Sequence, residues 1–229
     1  MKAPDRNLPF ALVDDLEQPV LDADEHHHLA RVRRLRPGDP LTAGDGAGRW
    51  RPVSFGEPLE PTGPIESVAR AEPAITVAFA IVKGDRTELI VQKLTEVGVD
   101  GIVPFVAARS VARWDDAKAE RHHARLVAIA RSAAAQSHRP WLPEVLAPVR
   151  FAAAAGLAGA ALADPEGAAP SLDTPTLLIG PEGGWTPDEL AANPRRVALA
   201  GHVLRSETAA IVAGSLLCAL RAGLVGPTT

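Results

Sequence analysis

The sequence predicts a two-part molecule, a small β-rich domain followed by an α/β domain with a mainly parallel sheet. Two patterns point there. Short strand-like runs separated by Gly/Pro turns fill the first 70 or so residues, and strand-length apolar runs alternate with helix-period segments thereafter. The composition agrees with a packed globular chain: of 229 residues, 46% are hydrophobic and 23% charged. The boundary falls near residue 72, giving domains 1–72 and 73–229.

In the first part, residues 24–35 set Leu29, Val32 and Leu35 at helical spacing, and Pro37-Gly38-Asp39 ends the run. Residues 41–43 and 50–55 flank Gly44-Asp45-Gly46-Ala47-Gly48, a hairpin signal, and residues 65–69 supply a third strand. Several short strands of this kind suggest a small barrel.

In the second part, residues 75–82 suit a strand covered on both faces. Residues 87–97 repeat apolar positions as a helix does, with Gly98 where a helix should stop. Further strands are expected at 101–106, 160–163, 176–179 and 197–200, and helices at 116–137 and 206–221. Residues 151–169 read as a loosely specified helix and loop.

Several classes are excluded by counting. A single cysteine, Cys218, leaves no internal disulfide and no multi-Cys zinc site, and no metal is expected. Neither His26-His27-His28 nor His122-His123 can easily share one ion, because consecutive residues point in different directions on a helix. The longest uncharged runs, of about 13 residues, are too short for a membrane span. The leading residues lack the apolar core of a signal peptide, so a cytoplasmic protein is expected.

Charge needs its distribution as well as its sum. The net charge of −4 argues against nucleic acid. Yet between residues 28 and 51 six arginines (Arg31, Arg33, Arg34, Arg36, Arg49 and Arg51) meet only Asp39 and Asp45, a local net of +4. Such a segment is either a solvated face or a grip on phosphate and bases.

Ligands of open α/β sheets bind beyond the carboxyl ends of the strands, and two such ends are unusual here. After Ile179 comes Gly180-Pro181-Glu182-Gly183-Gly184-Trp185, where three glycines allow close backbone approach. Thr186-Pro187-Asp188-Glu189 then reads as a capping box. The second end is Leu199-Ala200-Gly201-His202-Val203-Leu204-Arg205, followed by Ser206 as an expected N-cap and by Glu207. Arg205 is the anomaly. A cation just before a helix N-terminus opposes the macrodipole, and an anionic ligand would resolve the conflict.

Through these residues the sequence resembles the RsmE-type 16S rRNA methyltransferases of the SPOUT superfamily. The resemblance rests on His26-His27-His28-Leu29 through Arg34-Leu35, on Lys83-Gly84-Asp85-Arg86, and on Gln92 through Gly98. It continues through Arg109-Ser110, Gln136-Ser137-His138-Arg139 and the two C-terminal loops in order. It implies a PUA-like β-barrel for RNA, then a SPOUT α/β domain with a C-terminal trefoil knot. It also implies S-adenosyl-L-methionine as methyl donor and N3 of a uridine in 16S rRNA of the small ribosomal subunit, uridine 1498, as acceptor. A homodimer is implied too.

The donor would be held by Ile179, Gly180, Pro181, Glu182, Gly183, Gly184, Leu199, Ala200, Gly201, Val203, Leu204 and Arg205. Arg205 and Glu207 are the candidate catalytic pair. Arg205 would stabilise an anionic ring or a phosphate, and Glu207 would accept the N3 proton. The chain departs from the family pattern at Ala200, His202 and Ala135. Two other readings stay open: a non-catalytic RNA-binding or ribosome-assembly protein of the same fold, and a phosphate-handling α/β enzyme.

Overall fold

A computed structural model describes residues 3–82, 84–110 and 116–226, so Lys83 of the Lys83-Gly84-Asp85-Arg86 motif lies outside the described residues. The chain separates into two compact units, Met1–Arg70 with Arg131–Leu142, and Ala71–Ala130 with Pro143–Thr229.

The first unit is a five-stranded sheet. β1 (Phe10–Leu12) runs parallel to β2 (Pro40–Gly44), which pairs antiparallel with β3 (Arg49–Ser54). β4 (Glu60–Pro61) and β5 (Glu66–Ser67) both pair with β3. The Asp45 carboxylate organises the β2–β3 turn, accepting from the backbone N–H of Ala47 at 2.7 Å and from Arg49 Nε at 2.7 Å. Gly44 has to be glycine, since a Cβ there would stand 2.4 Å from the Phe10 ring. Leu16, Leu29, Leu41, Val53, Phe55 and Leu59 form the main core of this unit.

The expected helix over 24–35 is broken into two pieces. α1 (Ala23–His27) is capped by Asp22, whose carboxylate accepts from the Glu25 N–H at 2.7 Å. A wider π-turn, His28–Val32, follows, and the chain reverses at Arg34 with φ 59°. The turn buries Leu29 but leaves Val32 66% exposed. Register, not spacing alone, decides which apolar residue goes inside.

His138, in the same unit, also has positive φ, 54°, and its Nδ1 has no hydrogen-bond partner among the described residues. Burial, and after it the nearby Arg33 guanidinium, push the imidazole below its ordinary value near 6.5. The folded state therefore binds this proton less readily than the unfolded chain. Stability should fall as pH drops through the unfolded value toward the lower folded one. His138→Asn, which tolerates positive φ, is expected to flatten this loss in melting curves taken between about pH 7 and about pH 5.5. An unchanged slope would contradict it.

The second unit is built on a seven-stranded parallel sheet. Its elements begin with β6 (Thr76–Ala80), α2 (Arg86–Val97), β7 (Gly101–Val106) and α3 (Asp116–Gln136), whose last residues group with the first unit. β8 (Glu144–Val145), β9 (Val149–Arg150), α4 (Phe151–Ala155), β10 (Ala160–Ala168) and β11 (Thr176–Ile179) come next. α5 (Pro187–Ala192), β12 (Arg196–Val197) and α6 (Ser206–Arg221) complete it. The strand order is β12-β10-β11-β6-β7-β8, with β9 also on β7.

β6 shows why the strands are apolar throughout. Val77 and Phe79 join Ile90, Leu94 and Leu217 in one core, while Ala78 and Ala80 join Phe105, Leu162 and Leu178 in the other. α2 stops at Gly98 with φ 101°, as its sequence predicts. α6 packs closely on α2 at Gly214, where a Cβ would stand 2.7 Å from Leu94. Two strand expectations change. β10 runs on to Ala168 where helix and loop were expected, and β12 is two residues long where four were expected. Because β10, β11 and β12 are parallel neighbours, their carboxyl ends emerge on the same side of the sheet.

Candidate functional site

Leaving β11, the chain turns at residues 180–184, where the Gly184 N–H donates to the Pro181 carbonyl at 2.8 Å and Gly184 takes φ 68°. The turn is held from outside. Arg109 Nη1 donates to the carbonyls of Gly183 at 2.9 Å and Trp185 at 3.1 Å. The Trp185 indole donates to the Ala163 carbonyl at 3.0 Å and stacks parallel to Phe105, with ring centroids 6.2 Å apart. That ring crowds position 180, where a Cβ would lie 3.0 Å from the indole and push it aside by a few tenths of an ångström.

The capping box of α5 forms as expected. Thr186 Oγ1 accepts from the Glu189 N–H at 3.3 Å, and Glu189 Oε2 accepts from the Thr186 N–H at 2.9 Å. Its other oxygen accepts from the Ala108 N–H at 2.9 Å, which fixes the loop after β7 as well.

Ser206 does not cap α6. Arg205 occupies the cap position with extended backbone (φ −65°, ψ 153°), and the buried Ser206 hydroxyl donates to the Gly180 carbonyl at 2.9 Å. The hydroxyl thus joins the two loops, a role its neighbours in sequence do not signal.

Between the loops lies a cavity of about 220 Å³. Of the residues singled out from the sequence, Ile179, Gly180, Pro181, Glu182, Gly184, Leu199, Ala200, Val203 and Leu204 line it. Gly183, Gly201 and Arg205 stand outside the lining; Gly183 faces Arg109 instead. Sequence reasoning missed Ala163, Asp164, Pro165, Trp185, His202, Ser206 and Ala209. Ala163 ends the strand expected at 160–163 and Asp164 and Pro165 come directly after it, so the strand-end rule could have found them.

Arg205 is exposed, with no ion pair among the described residues. Glu207, in the first turn of α6, is nearly buried, its side chain 14% exposed, and Oε2 has no hydrogen-bond partner among the described residues. Arg86, at the start of α2, brings Nη1 within 3.6 Å of that oxygen and 3.1 Å of Glu182 Oε1. A buried carboxylate oxygen lacking a hydrogen-bond donor is uncommon and calls for a structural or functional reason. Among the described residues no group of three or more His, Cys, Asp or Glu is placed to hold a metal ion.

In the first unit, Arg31, Arg33, Arg34 and Arg36 are exposed, and Arg31 borders an open cleft of about 710 Å³ with His26 and His27. The other two arginines are engaged. Arg49 is paired with Asp45. Arg51, its side chain 13% exposed, donates to the carbonyls of Leu16 at 2.8 Å and Gly63 at 2.8 Å, which is a structural role.

A family model described as an RNA methyltransferase domain matches residues 70–218, and one described as an RNA methyltransferase PUA domain matches residues 21–53. Over 220 residues the chain is 38% identical to the ribosomal RNA small subunit methyltransferase E of Mycobacterium bovis, covering 85% of this chain and 83% of that one. The chain belongs to the ribosomal RNA small subunit methyltransferase E family.

Solved members of similar shape include the Neisseria gonorrhoeae enzyme bound to S-adenosyl methionine, with a TM-score of 0.78, 26% identity and coverage of 93% of this chain and 98% of that one. A Legionella pneumophila methyltransferase in complex with the same cofactor gives a TM-score of 0.79 at 27% identity, covering 92% and 96%. The family's methyltransferase match contains both cavity loops and Arg86, and its PUA match contains the four exposed arginines.

Proposed function

We propose that the chain transfers a methyl group from S-adenosyl-L-methionine to N3 of a uridine, uridine 1498, in 16S rRNA of the small ribosomal subunit. The observation that carries this reading is the convergence of residues 180–185 and 199–206 on one cavity at the carboxyl ends of β11 and β12, beside Ala163, Asp164 and Pro165 of β10. The residues present fit the donor: Ile179, Leu199, Leu204 and Ala209 offer an apolar wall for a purine, and Gly180 and Gly184 leave backbone accessible.

When bound, S-adenosyl-L-methionine supplies a methyl carbon already activated by its sulfonium. What remains for the protein is positioning and proton removal. Uracil N3 carries a proton that must leave before the nitrogen's electron pair is available for bond formation. Glu207 accepts it, and Arg205 stabilises the negative charge of the ring or a neighbouring phosphate. The exposed Arg31, Arg33, Arg34 and Arg36 grip the RNA backbone, which suits domain 1–72 as the RNA-binding part and 73–229 as the catalytic part. The knotted C-terminal path, cytoplasmic location and homodimer belong to the same reading; a second copy would cover the half-buried Ile211, Val212 and Leu216 of α6. Leu217 takes no part, being wholly buried in the core.

The deciding experiment incubates the protein with labelled donor and unmethylated small subunits, then maps the labelled nucleoside. Label in 3-methyluridine at one site is expected. Label in another nucleoside would refute the acceptor. Donor binding by calorimetry separates the remaining outcomes: a protein that binds subunits but gives no heat with the donor is a non-catalytic RNA-binding one.

A further inference from the structure

We infer that Arg86 is a positioning residue for methyl transfer, holding the Glu207 carboxylate, whose buried Oε2 has no hydrogen-bond donor among the described residues, and tying it to Glu182 of the cavity loop. The inference rests on the reading of Glu207 as proton acceptor. Arg86 is the first residue of α2, where the positive end of the helix disfavours a cation, and its neighbour Asp85 makes no side-chain cap. Carboxylates from two distant segments offset that disadvantage. Nη1 stands 3.1 Å from Glu182 Oε1 and 3.6 Å from Glu207 Oε2.

Stability does not account for the arrangement. Arg86 is 40% exposed and Glu182 49%, and ion pairs so solvated contribute little to folding. Glu207 differs, because its nearly buried carboxylate has one oxygen without a hydrogen bond. The strands packed against α6 cannot orient it, since β6 (Thr-Val-Ala-Phe-Ala) and β11 (Thr-Leu-Leu-Ile) carry no charge. Among the described residues, the charged groups brought to Glu207 from other elements are Arg86 of α2 and, across the same guanidinium nitrogen, Glu182. Glu182 also lines the cavity. One nitrogen therefore links the wall of the donor site to the group that takes the proton.

Steady-state methylation of unmodified small subunits by the full chain tests this with Arg86→Gln, Arg86→Lys, Glu207→Gln and the double variant Arg86→Gln/Glu207→Gln. Arg86→Gln should lower kcat by up to about 10²-fold, the scale of a misplaced catalytic group, with the melting temperature unchanged. Arg86→Lys, which keeps the charge, should recover most of the rate. The double variant should be no slower than Glu207→Gln alone, since residues acting as a unit are not additive. Arg86→Gln at the wild-type kcat, or a double variant slower by the product of both single losses, overturns the inference while Glu207 keeps its role. Glu207→Gln at the wild-type rate overturns both.

Discussion

Glu207→Gln is expected to lower kcat for methyl transfer by about 10²–10⁴-fold, the span that a positioned proton acceptor contributes, with donor affinity unchanged. Gln keeps the size of the side chain and one oxygen but has no carboxylate to take the proton. Glu207 lies outside the cavity lining, so donor binding should not feel the change. Arg205→Ala in the same assay should slow transfer by on the order of 10²-fold, the effect of removing one preorganised donor to a developing anion. Single-turnover rates with saturating donor, alongside calorimetric donor affinity, make the check. A Glu207→Gln protein that turns over normally, or one whose loss lies wholly in donor affinity, would falsify the role.

The second large effect concerns stability. Asp100, just before β7, and Arg221, at the end of α6, form an ion pair in which the two side chains are 7% and 10% exposed. The pair is well satisfied. Arg221 also donates to the carbonyls of Pro73 at 3.1 Å and Gly98 at 3.0 Å, and Asp100 accepts from the Ile75 N–H at 3.0 Å. Asp100→Ala or Arg221→Met leaves one buried charge uncompensated, which costs about 3–5 kcal/mol. For a chain of this length the melting temperature should drop by about 6–20 °C. Replacing both, Asp100→Leu with Arg221→Met, should recover most of it, because no buried charge remains. Single variants that melt with the wild type would show that the pair is solvated in solution.

Much of the site was legible because its residues break local rules. Three glycines within residues 180–184 and a cation before α6 have no purpose in an ordinary strand-to-helix turn, and both loops line the cavity. α2 was legible for the opposite reason: its apolar period and Gly98 obey every rule. The failures have common causes. Asp164-Pro165-Glu166-Gly167 reads as a strand breaker, but pairing with β12 carries β10 through it with a register shift. Arg51 looked like its exposed neighbours until tertiary folding buried it against Leu16 and Gly63. Arg86 was hidden by distance along the chain, since Glu182 is 96 residues away. The whole-chain charge concealed the arginines at 31–36 because acids elsewhere outweigh them.

The Asp100–Arg221 pair also has a consequence in time. Its partners are 121 residues apart. At a synthesis rate of about 5–20 residues per second, the carboxylate exists for roughly 6–24 s before the guanidinium that matches it has been made. During that interval the nascent second unit can assemble β6, α2 and β7, but closing the end of the sheet around Asp100 would bury a lone charge. The ribosome-bound intermediate should therefore stay open at this end until α6 emerges, exposing to chaperones and proteases the apolar face of α2 that Gly214 later meets.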